Sequence, residues 1–195
     1  MTREQWLLHF IDELRPMFKD AEFPLPDQIR VSMGFPCKQA LGPKRRIGEC
    51  HHAGMTDGIQ QIFISPSLGS TTQIAETLVH ELVHTVTPGA AHKGRFITVM
   101  RAVGLTGKPT ATRAGEWLKP KLEKMAAALT KTYGPFPHSV LEPHHKTKQS
   151  TRSLKATCGG CEEPRIIRVT KKVVDQGAII CALCSGVFEV VEEGK

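Results

Sequence analysis

The stretch His80-Glu81-Leu82-Val83-His84 has the residue types and spacing that metal-assisted hydrolysis requires. Four residues advance an α-helix by about 400°, so the two imidazoles project within roughly 40° of each other, one turn apart, and can share one Zn²⁺. Glu81 lies about 100° round from His80, where its carboxylate can reach a water at the metal without occupying a coordination position. The composition allows only about 0.03 such pentads by chance. We therefore read His80 and His84 as ligands of a catalytic zinc and Glu81 as the general base.

A catalytic zinc takes a third protein ligand and keeps one position open. His92 is the first choice, because it follows the Pro88-Gly89 break that lets the chain fold back. Glu116, at the start of a later helix, is the alternative. The longer motif with a Gly three and a His six residues beyond the second His is absent, since Thr87 and Ala90 stand there. His51 and His52 are adjacent in a strand and point to opposite faces, so at most one could aim at the site.

A second constellation pairs Cys158 and Cys161 with Cys181 and Cys184. Each Cys-x-x-Cys can place two thiolates on one ion, and the spacing between pairs leaves room for a hairpin, expected over Ile166 to Val169 and Val173 to Ile180. The reading is a closed structural zinc site, a four-cysteine zinc ribbon, in a segment with too few large apolar residues to fold without a metal. The expected cofactors are thus two zinc ions, one catalytic and one structural. Cys37 and Cys50 are left over and read as buried small hydrophobes.

The elements that must hold these residues follow from periodicity and breakers. Arg3 to Phe18 places Trp6, Leu7, Phe10, Ile11, Leu14, Met17 and Phe18 at helical spacing, interrupted by Pro16 and closed by Pro24 and Pro26. Three strands are expected over 29–35, 47–52 and 59–65. Ser70, Thr71 and Thr72 can cap a helix over roughly 73–86, whose apolar face is Ile74, Ala75, Leu78, Val79, Leu82 and Val86. Further helices are expected from about His92 to Val103 and from Glu116 to Lys131, with Pro120 tolerable in the first turn of the latter. Helix, sheet, then helices is an α+β order. The domains expected are a main domain over 1–132, a basic Pro- and His-containing linker over 133–153, and the ribbon over 154–195.

With 40% hydrophobic and 23% charged residues, the chain can bury a core, which excludes a disordered class. No apolar run is long enough for a membrane span, and the N-terminus lacks the purely basic start of a signal peptide, so a cytoplasmic or nucleoid-associated protein with no membrane partner is expected. The net charge is +7. Residues 1–138 hold 17 basic and 12 acidic side chains, residues 139–155 hold 4 and 1, and residues 156–195 hold 5 and 6. Lys146, Lys148, Arg152 and Lys155 around the linker, with Arg165, Arg168, Lys171 and Lys172 on the ribbon, are the candidate phosphate contacts.

These features together resemble the SprT-like (Spartan-related) zinc metallopeptidase family. The resemblance rests on the pentad, on His92 with Gly94 and Phe96 close behind it, on Asp57-Gly58 and Ile62-Phe63-Ile64 before it, and on the C-terminal four-cysteine ribbon. Lys93 stands between His92 and Gly94, where the family usually has the Gly directly after the His. The resemblance implies a compact zincin-like domain, zinc held by His80, His84 and His92, Glu81 as catalytic base, and proteolysis of DNA-associated or DNA-crosslinked proteins. Its expected partners are a protein substrate and DNA. Two other readings fit the residues: a non-catalytic nucleic-acid-binding zinc protein, and a zinc hydrolase acting on a non-protein amide.

Overall fold

The computed structural model describes residues 1–37, 45–55, 57–137, 139–141 and 153–191. The chain divides into two compact units, residues 1–143 and 144–195. No helix among the described residues is long and apolar enough to cross a membrane.

The first unit opens with α1 (Arg3–Asp20), started by a capping box in which Thr2 Oγ1 accepts from the Gln5 N–H and Gln5 Oε1 accepts from the Thr2 N–H. The expected interruption at Pro16 is absent, and α1 runs through it. An interior proline costs about 3 kcal/mol. The buried side chains beyond it, Met17 and Phe18, each contribute about 1.5–3 kcal/mol on leaving water, which offsets that cost.

Strands β1 (Ile29–Met33), β2 (Gly48–His51) and β3 (Gln60–Ile64) form one sheet in the order β1-β3-β2. β1 is parallel to β3 and β2 is antiparallel to it, with Val31 opposite Ile62 and Cys50 opposite the same residue. β2 is therefore an edge strand among the described residues. Helix α2 (Thr71–Val86) packs on β2 and β3, α1 packs on β1, and α4 (Leu118–Tyr133) packs on both helices. The core lies between them, with Phe10, Leu14, Ile62, Ile64, Leu78 and Leu82 fully buried.

Two further elements depart from expectation. The helix expected from His92 is α3 (Arg95–Ala102) and starts later, because Ala91 and Gly94 have φ of +45° and +49°, which an α-helix cannot contain. A hairpin of β4 (Leu105–Lys108) and β5 (Ala111–Ala114), not expected at all, follows it. Both strands are mostly exposed, so they carry no apolar alternation for a sequence reading to find.

Residues 133–137 and 139–141, read from sequence as the start of the linker, are held on the first unit. Phe136 packs edge-on against Trp6, Arg3 donates to the carbonyls of Pro137 and Ser139, and the Leu141 N–H donates to the Pro66 carbonyl.

In the second unit β6 (Leu154–Cys158) is central, flanked by β7 (Arg165–Val169) and β8 (Phe188–Val191) in the order β7-β6-β8. The expected hairpin is corrected: β7 pairs with the strand before it, and Lys171–Val174 forms a single helical turn, α5.

Replacing Pro16 by Ala removes an interior proline from the continuous α1 at an exposed position. The variant is expected to raise the stability of the first unit by at least about 1 kcal/mol. Urea unfolding followed by tryptophan fluorescence reads this unit alone, since Trp6 and Trp117 both lie in it. An unchanged or lower midpoint would contradict the reading.

Candidate metal centre and its buried carboxylate

Ser70 caps α2 by accepting from the Gln73 N–H, and the buried face of the helix fixes its rotation against the sheet. His80 and His84 then face away from the core, and the turn after Gly89 brings His92 back onto them. His92 Nε2 lies 3.2 Å from His80 Nε2 and 3.1 Å from His84 Nε2. Two nitrogens bound tetrahedrally to zinc sit about 3.3 Å apart, so this spacing is that of a metal's ligands. One proton between three facing nitrogens can satisfy at most one pair, whereas a dication satisfies all three. These three imidazoles could hold a metal ion.

Two residues that sequence reasoning gave no role in the site orient the imidazoles. The fully buried Phe96 ring lies beneath all three, its centroid 5.2, 4.4 and 4.9 Å from those of His80, His84 and His92. His80 Nδ1 lies 2.8 Å from Thr112 Oγ1 on β5, so a protonated Nδ1 donates there and leaves the Nε2 lone pair free. The hairpin is tied to α2 by Glu76, whose Oε1 accepts from the Ala114 N–H at 3.1 Å. Thr112 and Ala114 are two apart on β5 and share a face.

Burial lowers the pKa of all three histidines, His80 to about 4 and His84 to about 3, with the neighbouring imidazoles adding to the effect on these two. Neutral imidazole is the form that binds metal. Glu81 is 4% exposed, and burial pushes its carboxyl up to about 8 despite the nearby Arg46 guanidinium. A dication on the imidazoles would draw it back down. Glu81 sits against β2, where a Cβ at Gly48 would overlap Oε1. Gly48 is a third residue to which the sequence reading gave no role in the site. All of these groups line one cleft of about 930 Å³, with Arg46 and His52 at its wall.

Other candidates fall elsewhere. Glu116 is exposed and lines a separate depression with Arg101 and Trp117, so it is not among the convergent ligands. His51 does not line the cleft and groups with Cys37 and Glu49. The reading of both spare cysteines as buried is corrected for Cys37, which is exposed; Cys50 is half-buried, 3.6 Å from Thr85 Oγ1, its thiol pushed up to about 11 by burial. Lys146, Lys148 and Arg152 lie outside the described residues. Arg165, Arg168, Lys171 and Lys172 are exposed on the second unit.

The four ribbon cysteines could hold a metal ion. Cys158 and Cys184 sulfurs are 3.4 Å apart, Cys161 and Cys181 are 3.7 Å apart, and Cys161 and Cys184 are 3.4 Å apart. Disulfide sulfurs would be about 2.05 Å apart, and sulfurs on one zinc about 3.8 Å apart. The N–H groups of Leu183 and Cys184 draw Cys181 down to about 6, while Cys184 contributes most to pushing Cys161 up to about 12. Cys181 thus ionises readily, while Cys161 is the thiolate that a bound cation would stabilise.

No protein-family model, no curated protein and no solved structure matches this chain. Its chemistry rests on its own geometry.

Two outcomes are expected. In metal-free protein, His80 and His84 take protons below about pH 6.5 when unfolded but only below about 4 and 3 when folded, so stability falls as pH drops through that window. Glu81 does the opposite: folded, it keeps its proton up to about pH 8, against 4.5 unfolded, so its contribution is lost as pH rises between them. Each unmatched proton contributes about 1.4 kcal/mol per pH unit, and two histidines outweigh one carboxyl on the acid side. Tryptophan-detected urea midpoints should therefore peak near pH 6.5; a steady rise from pH 5 to 8 would refute this. Separately, Thr112→Val should weaken metal binding at one site about 10–100-fold in chelator competition, and unchanged affinity would remove the orienting role of the hydroxyl.

Proposed function

We propose that the protein is a zinc-dependent endopeptidase of the SprT-like type, with a zincin-like first unit and a zinc ribbon as the second. The observation that carries this reading is the convergence of three imidazole nitrogens beside a carboxylate buried at the wall of the same cleft. Zinc on His80, His84 and His92 would supply Lewis acidity, making water a nucleophile near neutral pH and polarising a carbonyl. Glu81 takes the proton of the attacking water and delivers it to the departing amide nitrogen as the C–O bond forms and the C–N bond breaks. Burial raises the proton affinity of Glu81 in the metal-free chain, and a dication beside it would lower that affinity, so the two effects oppose each other at the base.

A peptide substrate is favoured by the edge strand. β2 borders the cleft, and its outer side, unpaired among the described residues, can pair with an extended chain by backbone hydrogen bonds. The +7 charge and the exposed cations Arg165, Arg168, Lys171 and Lys172 favour DNA as the place where substrate proteins are met, in a cytoplasmic or nucleoid setting. A nucleic-acid-binding protein without hydrolysis would use the same cations. It would give no reason for a carboxyl buried in the metal cleft. A non-protein amide would need no edge strand.

Glu81→Gln keeps size and burial but removes the base. It is expected to lower peptidase activity, assayed on an unfolded protein with and without DNA, by about 10²- to 10⁴-fold, with zinc content unchanged. Full activity in this variant would overturn the proposal, and salt-sensitive DNA binding with no cleavage by the unmodified protein would favour the binding reading.

A further inference from the structure

A third group of ligand types uses none of the residues of the two metal clusters described. Cys37 Sγ, a Glu49 carboxylate oxygen and a His51 ring nitrogen all lie within 4.8 Å of one another. Glu49 and His51 are two apart on β2 and so share a face, while Cys50 between them points to Thr85 on α2. Glu49 also lines the cleft of the three imidazoles, whereas Cys37 and His51 do not, so the group shares one residue with the cleft wall and otherwise lies away from it.

The polar contacts within it are incomplete. Glu49 Oε1 accepts from Arg46 Nη1 at 2.7 Å, and Oε2 accepts from the Cys37 N–H at 2.9 Å. His51 Nε2 lies 3.5 Å from that same Oε2, too far for a good hydrogen bond, and this nitrogen is buried with no hydrogen-bond partner among the described residues. A buried ring nitrogen without a partner costs about 1–3 kcal/mol. The Phe63 ring stands edge-on to His51, with centroids 5.7 Å apart, and limits how the imidazole can turn to find another.

We infer that Cys37, Glu49 and His51 form a third metal site, for a borderline divalent cation of the Zn²⁺ or Co²⁺ type. One thiolate, one carboxylate and one imidazole are the donors such ions take. The 3.5 Å between Nε2 and Oε2 is close to the roughly 3.3 Å expected of two light ligands on one tetrahedral ion. The ion gives His51 Nε2 its missing partner. It also joins two strands that do not pair: Cys37 follows β1 and the other ligands lie on β2, with β3 between. Three protein donors leave a position for water, and the site is weaker than the four-cysteine one.

The test uses the full chain and zinc alone. Equilibrium dialysis at saturating free zinc should count three ions in the unmodified protein and two in both Cys37→Ala and His51→Ala. Equal counts in all three proteins overturn the inference. Alkylation of Cys37 by iodoacetamide, followed by peptide mass spectrometry, requires no variant: zinc should slow it at least about tenfold, because a coordinated thiolate is not free to react. His51→Ala should abolish that protection. Equal rates with and without zinc in the unmodified chain, or protection that survives loss of His51, would overturn it.

Discussion

Three imidazole nitrogens facing one point cannot all be satisfied by protons, and the first unit is organised around that constraint. Each nitrogen arrives on a definite mechanical support. His80 and His84 ride on a helix whose rotation is set by its buried face, and His92 rides on a turn whose two positive-φ residues, Ala91 and Gly94, reverse the chain. Phe96, the second residue of the next helix, closes the floor beneath all three. Burial keeps the rings neutral, so the arrangement stores unpaired lone pairs rather than charges. A cation resolves it, and that preference is built before any cation arrives.

The second unit meets the same chemistry with almost no core. Its buried apolar residues among those described are Ala156, Cys158 and Cys181, while Ile166, Ile180, Leu183 and Val187 are exposed. Little apolar area leaves water, so the hydrophobic contribution is small and the sulfurs must be held by something else. In the first unit the core positions the ligands. In the second, a metal ion on the four sulfurs would stand in for the core.

How far the sequence is readable follows from the same physics. Helix α2, its two histidines and the four cysteines are legible because periodicity and fixed spacing are local properties of the chain. The convergence of His92 is readable only in part: Pro88-Gly89 announces a break, but the direction of the chain after it depends on Ala91 adopting a positive φ, which an alanine does not advertise. Thr112 is invisible because its strand is exposed and short. Glu116 is a reasonable alternative by order along the chain, yet α4 packs so as to leave it in solvent. The ribbon hairpin is misplaced because a strand's partner can lie on either side of it in sequence, and β6 precedes β7. Pro16 shows the converse error, a strong local rule outweighed by the burial of Met17 and Phe18.

Gly48 gives one position on β2 an unusual status. Every other amino acid brings a Cβ, and a Cβ there overlaps the Glu81 carboxylate and the Thr77 methyl, so any substitution at residue 48 forces one of these side chains to shift. The side chain it would displace belongs to a different element, thirty-three residues on. A variant of this chain could keep all five residues of the pentad and still have its carboxylate pushed out of place by a single methyl group on the neighbouring strand. Sorting natural variants by the pentad alone would count such a chain as intact, and the absence of a side chain at residue 48 is as much a part of the motif as the histidines.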